Sequence, residues 1–278
     1  MRVQSYRFYL IQQNFLKEKC TKVMIFCKKS PIFVFMLTKT WAIVLRTIKY
    51  GERRMITEMF TRSSGRISFA VSVSRSSYGG LRRQMLQPLT LLDIECDIRP
   101  HIPLQKLRDT RLAVPYVSLP SDPVKISISL FISEFLCHAL RGEQHNEQLF
   151  DYIADSLCWL DNSASGHANF HIVFLMRMSL FLGFYPNLDC YTPGSWFDLR
   201  AGSFTATHPS HHDVIEPADA ARISVMMRMR FATMHLYRMS RDERNRTLDI
   251  IIRYYRIHIP DFPELRSLDV LHELFDGI

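Results

Sequence analysis

The sequence predicts an α+β chain: a small β-barrel in its first half, then an α-helical domain with an irregular insertion. Three observations carry this. Short β-branched and aromatic runs separated by turn signals fill the stretch from Lys39 to about Val114, whereas apolar residues recur at helical spacing from Asp122 onward. Charge is also divided: residues 39 to 92 hold ten basic and two acidic side chains, a net charge of +8, while residues 1 to 38 carry +6 and residues 93 to 278 carry −6. With 47% hydrophobic side chains in 278 residues, the chain can bury a real core and holds two domains.

The barrel strands follow in order. Thr40 to Ile48 (TWAIVLRTI) is the first, Tyr50-Gly51-Glu52 is a turn, and Met55 to Phe60 resumes an apolar and polar alternation. Thr61 to Gly65 turns the chain again, and Ile67, Phe69, Val71 and Val73 then share one face by period two. A Ser, Gly and Arg loop from Ser74 to Arg83 precedes a fourth strand near Leu86 to Cys96, and Leu104 to Val114 supplies a fifth. Five short strands suit a small closed barrel such as the OB-fold, which removes sheet edges and presents a face to single strands. An SH3-like barrel fits this pattern nearly as well.

The Pro-rich stretch from Pro115 to Pro123 marks a domain boundary, where Asp122-Pro123 opens a helix with a capping carboxylate and Pro at the first helical position. Val124, Ile128, Phe131, Ile132, Phe135 and Leu136 mark its buried face. Further helices are expected at Glu147 to Leu160, His167 to Leu182 and Pro217 to about Met234. Another runs from Ser240, which forms a capping box with Glu243, to about Ile257, and Glu264 to Phe275 closes the chain. The expected domains are thus a DNA-binding barrel at 36–115 and a helical domain at 116–278 with an irregular insertion at about 183–212. Residues 1–35 show no clean period and are read as an extension outside the fold; whether they are translated or ordered is not legible in the sequence. Pro31 to Leu37 is apolar, yet it is too short to span a bilayer and lacks a cleavage region.

A positive potential on one small β-module suits a polyanion, because neutralising phosphates releases condensed counterions. The candidate DNA-binding residues are Lys39, Arg46, Lys49, Tyr50, Arg53, Arg54, Arg62, Arg66, Arg75, Arg82 and Arg83. Tyr50, Tyr78 and Phe69 are candidate stacking aromatics, although Phe69 is expected to be buried in the barrel. A second basic surface is expected on the late helix around Arg246, Arg253 and Arg256, beside Tyr254 and Tyr255, with a merely solvated helix face as the competing reading. The alternative throughout is a solvated basic face that only keeps the chain soluble.

Motifs for enzyme chemistry are missing. No G-x-x-x-x-G-K-[ST] loop occurs, Asp242-Glu243 is explained by capping at a helix start, and no G-x-S-x-G turn raises a nucleophile. The six cysteines are scattered without metal-ligand or disulfide-framework spacing, which points to a reducing, cytoplasmic setting, and no apolar stretch approaches the roughly 20 residues that span a bilayer, so no membrane partner is expected. The chain is therefore read as a non-enzyme, the alternatives being a generic nucleic-acid-binding barrel protein or an unrecognised nucleic-acid-processing enzyme.

The order of motifs adds a resemblance. MLTKTWAIVLRTIKYGERRMITEMFTRSSGRISFAVSVSRS followed by MLQPLTLLDIE resembles the start of the RecO family of bacterial recombination mediators, and SEFLCHALRGEQHNEQLFDYIADSLCWLD, LGFYPNLDC, FDLRAGSF and HPSHHDVI follow in the family's order. The resemblance spans about residues 36 to 275. It implies an OB-fold in front, helices behind, and mediation and annealing on single- and double-stranded DNA without nucleotide hydrolysis. It also implies cytoplasmic, nucleoid-associated action between a single-strand-binding protein and the recombinase RecA, with RecR as co-mediator, and favours Met36 as the natural start. An acidic-hydrophobic tail such as that of the single-strand-binding protein needs an apolar groove with a cation beside it; which residues make these contacts is not legible. The chain departs from the family in one respect. Many members carry a four-cysteine zinc site in the irregular segment, but here only Cys190 is present, and His208, His211 and His212 give it no clear partner set, so no metal or cofactor is expected.

Overall fold

A computed structural model of the chain describes residues 36–51, 54–72, 83–99 and 102–274. Five strands, β1 (Met36–Lys49), β2 (Arg54–Thr61), β3 (Gly65–Ser72), β4 (Leu91–Ile98) and β5 (Leu104–Leu112), close into a barrel in the order β1-β2-β3-β5-β4. All neighbours are antiparallel except β3 and β5, which close the barrel in parallel over three residue pairs, Ser68 to Ala70 against Leu104 to Lys106. This is the OB-fold arrangement rather than the SH3-like one.

The first strand belongs to two pairings at once. Its first part pairs with β4 and its second with β2, and a bulge between Val44 and Arg46 lets it turn the barrel corner. Ala42 and Val44 point inward and pack with Met59, Phe69, Val71, Leu92 and Ile94. Ile43 and Leu45 point outward, where with Phe60, Leu89 and Leu91 they enter the core of the helical domain. Both faces of β1 are therefore buried, which is why AIVL reads as a continuous apolar run rather than an alternation.

The helical domain consists of α1 (Pro123–Ala139), α2 (Glu147–Asn162), α3 (Phe170–Phe181), α4 (Pro217–Arg228), α5 (Arg241–His258) and α6 (Ser267–Leu274). The Asp122 carboxylate accepts from the main-chain N–H groups of Val124 and Lys125 with Pro123 opening α1, and Ser240 and Glu243 form a reciprocal capping box on α5. Helix α3 is buried around most of its circumference and is the central helix. The irregular segment holds a small sheet of β6 (Trp196–Asp198), β7 (Ser203–Thr205) and β8 (Val214–Ile215), with β6 in the middle.

Two element boundaries differ most from expectation. Arg83–Leu86 forms a 3-10 turn and strand β4 begins only at Leu91, because Leu89 adopts a left-handed conformation after Pro88 and bonds across to Val44. Helix α4 stops at Arg228 instead of about Met234. There Phe231 leaves the helical path and packs between Trp159, 5.3 Å away, and Phe170, 4.9 Å away, a tertiary contact that local propensity does not reveal.

The Pro-rich connection is folded rather than slack. The Asp161 carboxylate accepts from the main-chain N–H groups of Val117, Ser118 and Leu119. Beneath it the buried Lys125 ammonium donates to Ser118 Oγ, Asp161 O and Ser163 O at 2.6, 3.1 and 2.6 Å. A buried charge fully surrounded by acceptors is tolerable, and here it ties the connection to the end of α2.

Candidate nucleic-acid interface

The β1–β2 hairpin presents the candidate surface. Lys49 pairs with Met55 at the end of the ladder, the Tyr50 N–H donates to Arg54 O at 2.9 Å, and Gly51 takes a positive φ of 86° to turn the chain. Lys49, Arg54 and Tyr50 stand exposed at this tip, with Tyr50 62% open to solvent. The 3-10 turn lies alongside, held to β1 by Thr47 Oγ1 donating to Leu86 O at 2.9 Å, and it adds the exposed Arg83. Among the described residues, Lys49, Arg54 and Arg83 have no carboxylate partner. Beside Tyr50 lies Ile48, 48% exposed. Sequence reading treats Ile48 as one more apolar strand residue; only its place beside a turn hints at exposure.

The other basic residues of this stretch are already engaged. Arg62 grips both oxygens of Asp151 at 2.7 and 2.9 Å and reaches Glu147 at 3.1 Å. Arg66 donates to Cys137 O at 2.6 Å, at the carbonyl end of α1, and also pairs with Glu58. Arg46, half exposed, meets the other oxygen of Glu58 at 2.5 Å. Burial alone would raise the Glu58 carboxyl, but hydrogen bonds from Arg46 and Arg66 hold it below its ordinary value, so it remains an anion between two guanidinium groups. Arg62 and Arg66 thus lie at the seam between barrel and helices, away from the free set. Lys39 lies at the opposite end of β1 from the hairpin, 3.6 Å from Asp93. Arg53, Arg75, Arg82 and Tyr78 lie outside the described residues.

Phe69 is completely buried inside the barrel, so no base can stack on it in this conformation. On α5 each arginine of the expected second surface has a carboxylate neighbour: Arg246 is 3.7 Å from Asp219, Arg253 is 3.2 Å from Asp213, and Arg256 is 3.5 Å from Glu264. Tyr254 and Tyr255 are buried, and their hydroxyls donate to Phe184 O and Leu175 O. The two tyrosine rings are thus not open to a base, while Arg246 and Arg256 remain exposed.

In the irregular segment Cys190 is exposed, His208 stands edge-on against Trp196, and His211 Nε2 lies 3.2 Å from Asp198 Oδ2. Among the described residues no group of three or more His, Cys, Asp or Glu side chains is placed to hold a metal ion. Burial pushes the thiols of Cys96, Cys137 and Cys158 up to about 11, which leaves them poor nucleophiles at neutral pH. No helix among the described residues is long and apolar enough to cross a membrane.

Comparison with known proteins places this geometry in context. A family model described as recombination protein O N terminal matches residues 36–116, and one described as recombination protein O C terminal matches residues 120–269. The chain is 48% identical over 242 residues to the DNA repair protein RecO of Bacteroides fragilis, covering 87% of this chain and all of that one. It is 47% identical over 240 residues to the RecO of Phocaeicola vulgatus, covering 86% of this chain and all of the relative. With the RecO of Porphyromonas gingivalis it shares 36% identity over 247 residues, again across the whole relative and 87% of this chain.

Proposed function

The chain belongs to the RecO family of DNA repair and recombination proteins, and from that premise we propose that it is a recombination mediator whose barrel hairpin carries the DNA. One observation carries the reading: Lys49, Arg54 and Arg83, three cations without a carboxylate partner among the described residues, lie on and beside the hairpin that exposes Tyr50, on a barrel of OB topology. Cations track the backbone of a strand and supply most of the sequence-independent affinity, while an open aromatic ring gives a base a stacking platform. Single strands, whose bases are free to stack, bind more tightly than duplex on such a surface. Arg53, Arg75 and Arg82 extend the basic set in sequence, and Arg46 contributes its exposed half.

The work proposed for this surface needs no bond cleavage. Holding two complementary strands with their charge partly neutralised lowers their mutual repulsion, and annealing follows from base pairing alone. In this reading RecR is the co-mediator, the single-strand-binding protein is engaged through its tail, and RecA receives the cleared strand. The site of action is the cytoplasm, at the nucleoid.

Strand annealing on DNA precoated with the cognate single-strand-binding protein tests the proposal, comparing the full-length tail with a tail-less variant. Annealing that depends on the tail is the expected result. Equal annealing with both forms keeps the annealing role and removes the tail mechanism. No annealing in either case, with DNA binding intact, leaves a generic DNA-binding barrel.

A further inference from the structure

A groove of about 460 Å³ opens where the barrel, the 3-10 turn and α1 meet, beside the basic hairpin. Buried Leu45, Leu86 and Cys137 form its inner lining. Met55 on β2, Pro88 after the turn and Leu130 on α1 form the apolar walls, and Leu130 is 49% exposed although it sits in mid-helix. The polar groups divide by sign: Arg46 and Arg83 come from the barrel side, whereas Glu134 and His138 lie one and two helical turns beyond Leu130 on the same face of α1.

We propose that this groove receives one unstacked nucleotide of a bound single strand, its base held between Met55, Pro88 and Leu130 and its phosphate on Arg46 and Arg83. This rests on the DNA-binding reading above and deepens it, by giving the strand a path from the hairpin tip to the barrel–helix seam. The size is that of a small-molecule site, in which apolar walls with a few fixed polar groups are the usual composition. Charge complementarity decides the occupant. The Glu134 carboxylate is fixed by the main-chain N–H groups of Arg266 and Ser267 at 3.1 and 2.8 Å and by the Ser267 hydroxyl. Burial would raise that carboxyl, but the Ser267 bonds keep it below its ordinary value and therefore charged. An anion at this end of the groove repels an acidic peptide, yet its remaining lone pairs accept from the N–H groups on a base edge. His138 lines the same wall of α1.

The test uses the full chain and a fluorescent oligo(dT). Photocrosslinking with 5-iodouracil in the strand, mapped by mass spectrometry on the unaltered protein, is expected to label peptides containing Leu86 or Leu130. Leu130→Trp fills the groove from its exposed wall and is expected to weaken oligo(dT) binding roughly tenfold, the scale of one lost base contact, with the salt dependence unchanged because the phosphate contacts remain. Crosslinks confined to the hairpin, together with unchanged affinity in Leu130→Trp, would overturn the groove site and leave the DNA-binding reading standing. Loss of an acidic, hydrophobic peptide rather than of oligo(dT) in Leu130→Trp would overturn it in favour of a peptide dock. Absence of any salt-dependent DNA binding by the unaltered protein would remove both the groove proposal and the reading beneath it.

Discussion

Arg62, on the turn between the second and third barrel strands, holds Asp151 of α2 with two parallel hydrogen bonds, 2.7 and 2.9 Å long and 89 residues apart in sequence. Planar two-point contacts of this kind are the stronger class of ion pair, and this one is half shielded from solvent. A double-mutant cycle on Arg62→Ala and Asp151→Ala, read by urea unfolding, should give a coupling of about 1 kcal/mol. The same Arg62→Ala should leave the salt dependence of oligo(dT) binding unchanged, and a flatter slope would return Arg62 to the DNA-binding set.

Two glycines separate backbone strain from steric conflict. Gly51 has φ +86° with open space around it, whereas Gly65 has φ +69° and a Cβ there would lie 2.5 Å from the main chain of Gln144 in the helical domain. Gly51→Ala should cost about 1 kcal/mol from the left-handed backbone alone. Gly65→Ala should cost clearly more, about 3 kcal/mol, because barrel and helices must also move apart. Urea midpoints of the two variants decide this, and equal losses would disprove the close approach.

Charge reversal of Lys49, Arg54 and Arg83 should weaken oligo(dT) binding at every sequence alike. Each reversal should lower the slope of log affinity against log salt by about one or more. Arg253→Ala and Arg256→Ala, whose partners are Asp213 and Glu264, should leave that slope unchanged. Fluorescence anisotropy across a salt series measures both sets.

Acid should destabilise the protein through its buried histidines. His171 is fully buried, and burial, aided by nearby Arg244 and His272, pushes its value down to about 3 against 6.5 for the free side chain. Between those values the unfolded chain binds a proton that the folded chain does not, so stability falls as pH drops below 6.5. Burial lowers His138 and His167 in the same direction. The urea midpoint should therefore decrease from pH 7 to pH 5, and His171→Gln should lose less over that interval than the unaltered chain. Glu58 and Glu134, held below their ordinary value, act in the same sense as the histidines: they stabilise above the ordinary carboxylate range, and that contribution is lost only at lower pH.

Features whose cause is local were legible in the sequence. The Asp122-Pro123 start of α1 and the Ser240 and Glu243 capping box depend on residues three positions apart, and the inward face of Ile67, Phe69 and Val71 depends on the period of a strand. The barrel with helices behind it followed from the same patterns together with the order of family motifs. Partnership across the chain was not legible. A count of basic residues treats Arg62, Arg66 and Arg83 alike, and only the fold brings Asp151 and Glu58 to the first two while leaving the third unpaired among the described residues. The end of α4 at Arg228 and the late start of β4 were hidden for the same reason, since Phe231 and Leu89 are placed by partners distant in sequence.

The double burial of β1 means that the barrel has no surface of its own on that side. A fragment cut at the Pro-rich connection would leave Ile43, Leu45, Phe60, Leu89 and Leu91 facing water, an adhesive apolar patch, and would aggregate rather than serve as a minimal DNA-binding module. The intact chain gains a fixed offset from the same strand. On the reading proposed above, a strand on the hairpin therefore lies at an offset from the helices that this one shared strand sets, which makes β1 a ruler between the two halves.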